Sequence, residues 1–416
     1  MDKIEKSNFY KLWAGQSIGL IGIQITTVSL PIFAIEVLHA SNSMASLLRF
    51  AILFPQLLLA LIAGVIVDIF NRKNMMLACD MCQGIIYFII FILSYTNLIS
   101  FSVLVFCIFI SGIFSTFFQV AYSSFIPDII TKQNDIKAAN SKLYISESMA
   151  LILGPMISGL VISYIGFSSF FIVNAFTYFV SFAFVVFIRN YISHKARHKE
   201  ELKNINLKKI YTDILEGLIF VRKNPYIEPI VSCGFIYCFS KSIFSIVLIL
   251  YLYQKMVLSP VLIGVIIGAP SIGLVLGSII ATSLSKYFND AFTLVLGATM
   301  TGIGIFLISI MGYFELVYLM IVFGIFHGIG EGIFAPLSFA IRQIHSPANM
   351  IGRITAVQRT FVYGAFPLGS LAASILLLYV DLSTTLIIGG VGALLCVIPL
   401  TRRAILQDVK SLLHKP

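Results

Sequence analysis

Long apolar segments separated by short polar connections dominate the hydropathy pattern of this chain. None of them alternates apolar and polar residues as a membrane β-strand would, and each is long enough for the roughly 20 helical residues that cross about 30 Å of hydrocarbon. The pattern therefore predicts an all-α membrane protein with twelve transmembrane helices. The predicted spans are 11–37, 46–70, 74–96, 99–124, 143–165, 168–188, 229–254, 260–285, 291–313, 315–341, 350–379 and 382–401.

The longest polar stretch separates these spans into two sets of six. We predict an N-terminal six-helix bundle at 1–188, a cytoplasmic linker at 189–228, a C-terminal six-helix bundle at 229–401 and a cytoplasmic tail at 402–416. Apolar residues recur with helical spacing within the linker, which predicts an amphipathic helix. Such a helix could lie on the inner membrane surface, or it could simply join the two bundles.

Composition and charge exclude most other classes of protein. Hydrophobic residues make up 59% of the chain, charged residues 11%, and the mean hydropathy is +0.98, values that nearly exclude a soluble enzyme. With the N-terminus inside, all but three of the 28 Lys and Arg residues lie on the inner side; the exceptions are Arg49, Lys241 and Lys255. This distribution predicts a plasma-membrane protein with both termini in the cytoplasm, and it explains the net charge of +10 without a nucleic-acid partner.

A weak internal repeat relates the two halves. Asn140 precedes Pro155 by 15 residues, and Gly352 precedes Pro367 by the same number. Two sets of six helices with matched motifs are typical of secondary transporters built from structural repeats.

A charged signature lies at the inner end of the second predicted span. Glycine allows a neighbouring helix to approach, and an acidic residue at the membrane edge can pair with a nearby cation or cap a helix. We expect this cluster to form an inner gate, although a simple stop-transfer cluster would have the same composition. The predicted gate residues are Gly64, Asp68, Arg72 and Lys73, joined by Asp80 and Glu147 near the inner ends of two other spans.

The sequence from Gly64 to Lys73 resembles the inner-loop signature of the major facilitator superfamily, and the resemblance covers essentially the whole chain. It is most similar to the branch that contains the macrolide exporters and the enterobactin exporter. Asn71 and Ile69 depart from the usual loop signature, and the fourth span lacks the arginine of many drug–proton antiporters. The residues that carry the resemblance to this branch are Phe9, Tyr10, Leu12, Trp13, Ala14, Gly15, Gln16, Ile126, Pro127, Asp128, Ala139, Asn140, Gly154, Pro155, Gly352, Arg353, Pro367, Leu368 and Gly369.

The resemblance implies two six-helix bundles around a central cavity lined by spans 1, 4, 7 and 10. It also implies transport by alternating access, usually as proton-driven export. Residues that match the helix-bending motifs are Gly154, Pro155, Gly159, Pro367 and Gly369, and side chains that could line the cavity are Gln16, Gln24, Gln119, Tyr237 and Tyr363.

Ionisable residues inside spans are default functional candidates, because a charge at the bilayer centre costs about 2.5–3.5 kcal/mol. Lys241 and Glu331 lie near the centres of spans 7 and 10, and His327 lies one helical turn before Glu331. We predict that Lys241 and Glu331 pair, that Glu331 takes up the driving proton, and that His327 relays it. The alternative is a permanent structural pair.

Two further charges lie near the outer ends of spans 1 and 2. Glu36 and Arg49 are separated by a short connection and could pair as part of an outer gate. Alternatively, both could extend independently to the membrane interface.

No motif for enzymatic chemistry is present. The chain lacks the nucleotide-binding pattern G-x-x-x-x-G-K-[ST] and the zinc-protease pattern H-E-x-x-H, and Cys79 and Cys82 form a solitary C-x-x-C. We therefore predict no enzyme activity, cofactor or metal. The predicted partners are a small-molecule substrate, protons and the lipid bilayer, with the protein as a monomer.

Three functions remain in competition at this point. The first is proton-coupled export of amphipathic, drug-like or macrolide-like molecules. The second is export of a dedicated siderophore or metallophore, whose negative charge would suit Lys241. The third is a lysophospholipid or lipid flippase, or a scaffold without transport.

Overall fold

The computed structural model describes residues 2–130, 132–189, 207–347 and 350–401, and within these ranges its regular secondary structure is entirely helical. The first six helices are α1 (Lys3–Glu36), α2 (Asn42–Ile69), α3 (Arg72–Tyr95), α4 (Phe101–Ile129), α5 (Gln133–Ile165) and α6 (Ser169–Val186). After these come α7 (Leu207–Lys223), α8 (Ile227–Gln254), α9 (Pro260–Tyr287), α10 (Asp290–Tyr313), α11 (Val317–Ile344), α12 (Ile351–Gln358), a π-helix (Arg359–Tyr363), α13 (Gly364–Leu376), α14 (Leu382–Leu395) and a 3₁₀ turn (Ile398–Thr401).

Eleven helices of the described chain are long and apolar enough to cross a membrane. The predicted span 350–379 differs from the rest because it is divided into α12, the π-helix and α13. Pro367 lies just beyond the interruption: proline has no amide hydrogen, and its ring crowds the carbonyl four residues earlier, which belongs to Tyr363 at the end of the π-helix. Proline alone does not produce it, because Pro31 and Pro155 lie inside continuous α-helices.

The chain forms two compact units. The first lies within Met1–Ile205 and includes Ser259–Gly264, and the second comprises Asn206–Leu258 and Val265–Pro416. In the first unit α1 packs against α5 and α6, α3 against α4 and α6, and α2 against α4. In the second unit α8 packs against α13 and α14, and α10 packs against α11 and α14.

A buried polar cluster joins α1 to α6 in the first unit. The Asn174 side-chain amide donates to Thr26 Oγ1 at 2.7 Å, and the Thr177 hydroxyl donates to the Asn174 carbonyl oxygen at 2.7 Å. Gly22 makes room for these groups, because a Cβ there would lie 2.3 Å from Thr177 Oγ1. Such satisfied hydrogen bonds between apolar helices fix how the helices are rotated against each other.

The two units contain the same serine–serine hydrogen bond. In the first unit Ser29 and Ser158 lie 2.7 Å apart, and in the second Ser242 and Ser370 lie 2.8 Å apart. Ser158 and Ser370 each follow the proline of the matched motif by three residues. The repeat seen in the sequence therefore corresponds to a repeated contact between helices.

One face of α7 packs against α12, while Leu215 and Ile219 are exposed. Gly217 approaches the backbone of Arg353 and the side chain of Val357, and Glu216 forms an ion pair with Arg353. The side chains of residues 207–214 lie outside the described part, so their predicted contact with the membrane surface stays a prediction.

Candidate functional site

The central charges of the second unit meet in an ion pair between α8 and α11. Lys241 Nζ lies 2.6 Å from Glu331 Oε1 and 2.8 Å from Oε2, so the ammonium group donates to both carboxylate oxygens. The side chains are 29% and 20% exposed, which leaves them partly accessible within otherwise apolar helices. Removal of either partner would leave a charge in a medium that solvates it poorly.

His327 approaches the pair from α11. Its Nδ1 lies 3.2 Å from the Thr301 carbonyl oxygen, which can only accept a hydrogen bond, so Nδ1 carries a hydrogen. In the neutral ring Nε2 then has a lone pair, and it faces Glu331 Oε2 at 3.7 Å, beyond hydrogen-bond distance. One added proton on either group would convert two facing acceptors into a donor and an acceptor.

The tight packing of α10 against α11 holds His327 in this position. A Cβ on Gly304 would lie 2.6 Å from the His327 Cβ, and a Cβ on Gly330 would lie 2.5 Å from the Thr301 amide nitrogen. The absence of side chains at these two glycines therefore lets the imidazole reach the carbonyl of the neighbouring helix.

Tyr237 completes the surroundings of the ion pair, one turn before Lys241 on α8. Lys241 Nζ lies 5.3 Å from the centre of its ring, within the range of a cation–π interaction. The Tyr237 hydroxyl is buried close to the Glu331 carboxylate but forms no hydrogen bond with it. The sequence prediction included Tyr237 only as a possible lining residue; the structure places it beside the two charges.

The inner-loop signature forms a different set of contacts, all within the first unit. Arg72 Nη1 lies 2.8 Å from Asp128 Oδ1 and donates to the Ser124 carbonyl oxygen at 3.0 Å. Lys73 donates to the carbonyl oxygens of Val186 and Ile188 at the end of α6. Lys73 therefore satisfies carbonyl groups that a helix end leaves without partners.

The expected charge network of Asp80 and Glu147 with Arg72 and Lys73 does not assemble among the described side chains. Asp80 is buried and accepts a hydrogen bond from the Ser181 hydroxyl at 2.8 Å. It lies eight residues after Arg72 on the same helix, which is about two turns or 12 Å further along the axis. Glu147 is exposed on α5.

The remaining gate residues are placed as follows. Gly64 lies in α2 with open space where a Cβ would be, and the Asp68 side chain lies outside the described part of the structure. Glu36 is exposed at the end of α1 and Arg49 is half-buried in α2; no ion pair joins these two described side chains. Their independent extension to the membrane interface stays a prediction.

The helix-bending glycines mark close approaches between helices. A Cβ on Gly154 would lie 2.3 Å from the Gln24 Cβ, and a Cβ on Gly369 would lie 2.2 Å from the Phe239 carbonyl oxygen. Pro155 and Gly159 are buried in α5, and Pro367 is buried in α13. The other predicted lining residues are half-buried (Gln16) or exposed (Gln119 and Tyr363).

Sequence reasoning missed three partners: Thr301, Asp128 and Ser181. Asp128 could have been recognised, since it belongs to the Ile126-Pro127-Asp128 motif and is an acidic residue at the end of α4. Thr301 acts through its backbone carbonyl and Ser181 resembles many other hydroxyl residues in the spans, so neither carries a sequence signal. Within the described residues, no group of three or more His, Cys, Asp or Glu side chains is arranged to hold a metal ion.

Comparison with known proteins agrees with a transporter fold. The chain is 24% identical over 377 residues to the MFS-type transporter YkuC of Bacillus subtilis, covering 87% of this chain and 84% of the relative. It is 23% identical to the multidrug efflux pump Tap of Mycolicibacterium fortuitum, with 85% of each chain covered.

Solved structures share the fold at low sequence identity. The nucleoside transporter NupG superposes with a TM-score of 0.74 at 11% identity, covering 97% of this chain and 99% of that chain. A bacterial homologue of the iron transporter ferroportin, in its inward-facing state, gives a TM-score of 0.70 at 14% identity, covering 95% of this chain and 99% of that chain.

A family model described as "transmembrane secretion effector" matches residues 3–414. The family and its relatives are transporters and not enzymes, and they are multi-pass membrane proteins of the major facilitator type. The chain therefore belongs to the transmembrane secretion effector family of major facilitator transporters.

Proposed function

We propose that this protein is a proton-coupled exporter of amphipathic small molecules, drug-like or macrolide-like, in the plasma membrane with both termini in the cytoplasm. The observation that carries the proposal is the Lys241–Glu331 ion pair with His327 beside it. The similarity to a multidrug efflux pump and the name of the family favour export of such molecules.

The proton step follows from the hydrogen-bonding capacity of these residues. In the described arrangement Glu331 is held as an anion by two hydrogen bonds from Lys241, and the neutral His327 offers it a lone pair. When one proton enters, Glu331 becomes neutral or shares the proton with His327. In both cases the attraction between Lys241 and Glu331 weakens, and Lys241 becomes available to a polar or anionic group of the substrate.

A siderophore or metallophore remains the second candidate substrate, because Lys241 would pair with its anionic groups. A lipid substrate or a scaffold role has no comparable support from the described contacts. Purified protein in liposomes with an internal pH dye separates these possibilities. Amphipathic drug-like molecules, macrolides, siderophores and lysophospholipids are each added, and we expect substrate-dependent proton movement with the first two classes.

The first prediction concerns the proton site itself. Glu331→Gln should abolish transport driven by a pH gradient and preserve substrate binding or exchange, because the amide retains polarity but cannot exchange a proton. The exchanged pair, Lys241→Glu with Glu331→Lys, should fold yet fail to couple, because the carboxylate then lies on α8, away from His327. Full pH-dependent transport by the exchanged protein would show that the pair is structural.

A further inference from the structure

A cation on α11, apart from the Lys241–Glu331 pair, lacks an anionic partner among the described residues. Arg342 lies in the last turn of this helix and is only 3% exposed. Its Nη1 atom is buried without a hydrogen-bond partner, and no ion pair joins it to a carboxylate of the described chain. Two acidic residues of the same unit have other partners: Glu331 binds Lys241, and Glu216 binds Arg353.

An unpaired buried guanidinium is unusual, because desolvation of a charge is compensated in folded proteins by a carboxylate or a bound anion. The negative end of the helix dipole favours Arg342 in the last turn of α11, but it leaves the Nη1 hydrogens without acceptors. The Nη1 hydrogens are thus available to an oxyanion, and the planar guanidinium suits a carboxylate or a phosphate.

Two aromatic residues of the described chain lie near this group. The Arg342 Cζ atom lies 5.1 Å from the centre of the Phe339 ring, and Tyr363 is close enough to interact with the guanidinium electrostatically. Phe339 is 49% exposed and Tyr363 is 53% exposed. A cation beneath partly exposed aromatic rings matches a molecule with an anionic head and an apolar body.

The position of Arg342 also relates it to the ion pair. It follows Glu331 by 11 residues, which is close to three full helical turns, so both residues lie on nearly the same face of α11 and about 16 Å apart along the axis. A ligand held by Arg342 would therefore lie on the side of α11 that carries the Lys241–Glu331 pair.

We propose that Arg342, with Phe339 and Tyr363, forms a binding site for the carboxylate or phosphate head of an amphipathic molecule. The site deepens the proposed function and rests on it, because it names anionic amphipaths as a substrate class. The same head-group chemistry has two sources: a soluble amphipathic acid, or an anionic phospholipid of the inner leaflet.

Equilibrium binding to the full-length protein tests the site without any transport. The probe is 11-(dansylamino)undecanoate, compared with its uncharged amide, and fluorescence is measured in nanodiscs of phosphatidylcholine. We expect the wild type to bind the acid at least tenfold more tightly than the amide. Arg342→Gln should remove this preference and leave the affinity for the amide unchanged, whereas Arg342→Lys should retain part of it.

Arg353→Gln is the matched control, because it removes an inner arginine of the same unit that already has Glu216 as its partner. It should keep the preference for the acid. Unchanged binding of the amide by Arg342→Gln shows that this variant is folded. If Arg342→Gln does not fold, the partial preference for the acid expected of Arg342→Lys tests the site in its place. Equal affinities of the wild type for acid and amide, or an undiminished preference in Arg342→Gln, would overturn the proposal.

Replacement of part of the phosphatidylcholine by phosphatidylglycerol identifies the source of the head group. A weaker affinity for the acid in the wild type, but not in Arg342→Gln, assigns the site to the phospholipid. An unchanged affinity assigns it to a soluble acid. Glu331→Gln should lose proton coupling but keep the preference for the acid, because it leaves Arg342 in place and releases Lys241. Loss of proton coupling and loss of this site therefore give different results.

Discussion

For the Lys241–Glu331 pair we predict that replacing both residues destabilises the protein less than replacing either one, whereas the effects of independent mutations add. Breaking a fully buried ion pair on one side costs about 3–5 kcal/mol, because the remaining charge is stranded. The side chains here retain 29% and 20% of their exposure, so we expect a smaller cost of about 2 kcal/mol for each single change to methionine. Replacement of both should cost less than either single change, because no charge remains.

A double-mutant cycle measures this coupling. Lys241→Met, Glu331→Met and the double variant are compared with the wild type by equilibrium unfolding in mixed micelles. The sum of the two single costs minus the smaller cost of the double variant gives a coupling of at least about 2 kcal/mol, a change of roughly 30-fold or more in the unfolding equilibrium. The exposed Glu216–Arg353 pair serves as the control, and the same cycle there should give about 0–1 kcal/mol. Additive losses in the Lys241–Glu331 double variant would refute the reasoning.

The remaining predictions concern the predicted inner gate and the cap that Asp381 forms at the start of α14. Asp68→Asn and Asp128→Asn should both slow transport while equilibrium binding of the substrate survives. In Asp128→Asn, Arg72 loses the carboxylate that lies 2.8 Å away. A proportional loss of binding and flux would indicate misfolding instead. Asp381 caps α14, and hydrogen bonds from the Thr384 hydroxyl and from the start of the helix lower the pKa of its carboxyl group. The stabilisation of the folded state by this carboxylate is therefore full at neutral pH and is lost as pH falls below the ordinary pKa of about 3.9. Asp381→Ala should therefore lower the free energy of unfolding by about 0.5–2 kcal/mol at pH 7, with a difference from the wild type that shrinks between pH 5 and pH 3.

Hydropathy predicted the helices well, because apolar length alone determines whether a segment can cross a bilayer. It also placed Lys241 and Glu331 at similar depth, since depth follows from position along a span. It could not orient the helices about their axes: spans that are apolar on all sides carry no periodic signal for rotation. Contacts that depend on rotation, such as Asp80 with Ser181 and Arg72 with Asp128, therefore required the three-dimensional structure.

The interruption of the predicted span 350–379 illustrates a second limit. Pro367 was recognised in the sequence as a possible bend, but a proline inside a membrane helix can be accommodated in several ways. Here the chain inserts a π-helix that ends at Tyr363, four residues before the proline. The choice among a kink, a π-helix and a break depends on neighbouring helices, which the local sequence does not specify.

The matched serine bonds, Ser29–Ser158 and Ser242–Ser370, bear on the history of the molecule. A contact repeated at the same offset from a proline is what duplication of a single six-helix ancestor would leave behind. The same alignment pairs Lys241 with Val28, and alignment of Pro336 with Pro127 pairs Glu331 with Tyr122. The serine bond joins helices in both units, whereas Val28 and Tyr122 offer no counterpart to the Lys241–Glu331 pair, and the Arg72–Asp128 pair lies elsewhere in the first unit. The two units therefore share a scaffold contact and differ in where they carry charge.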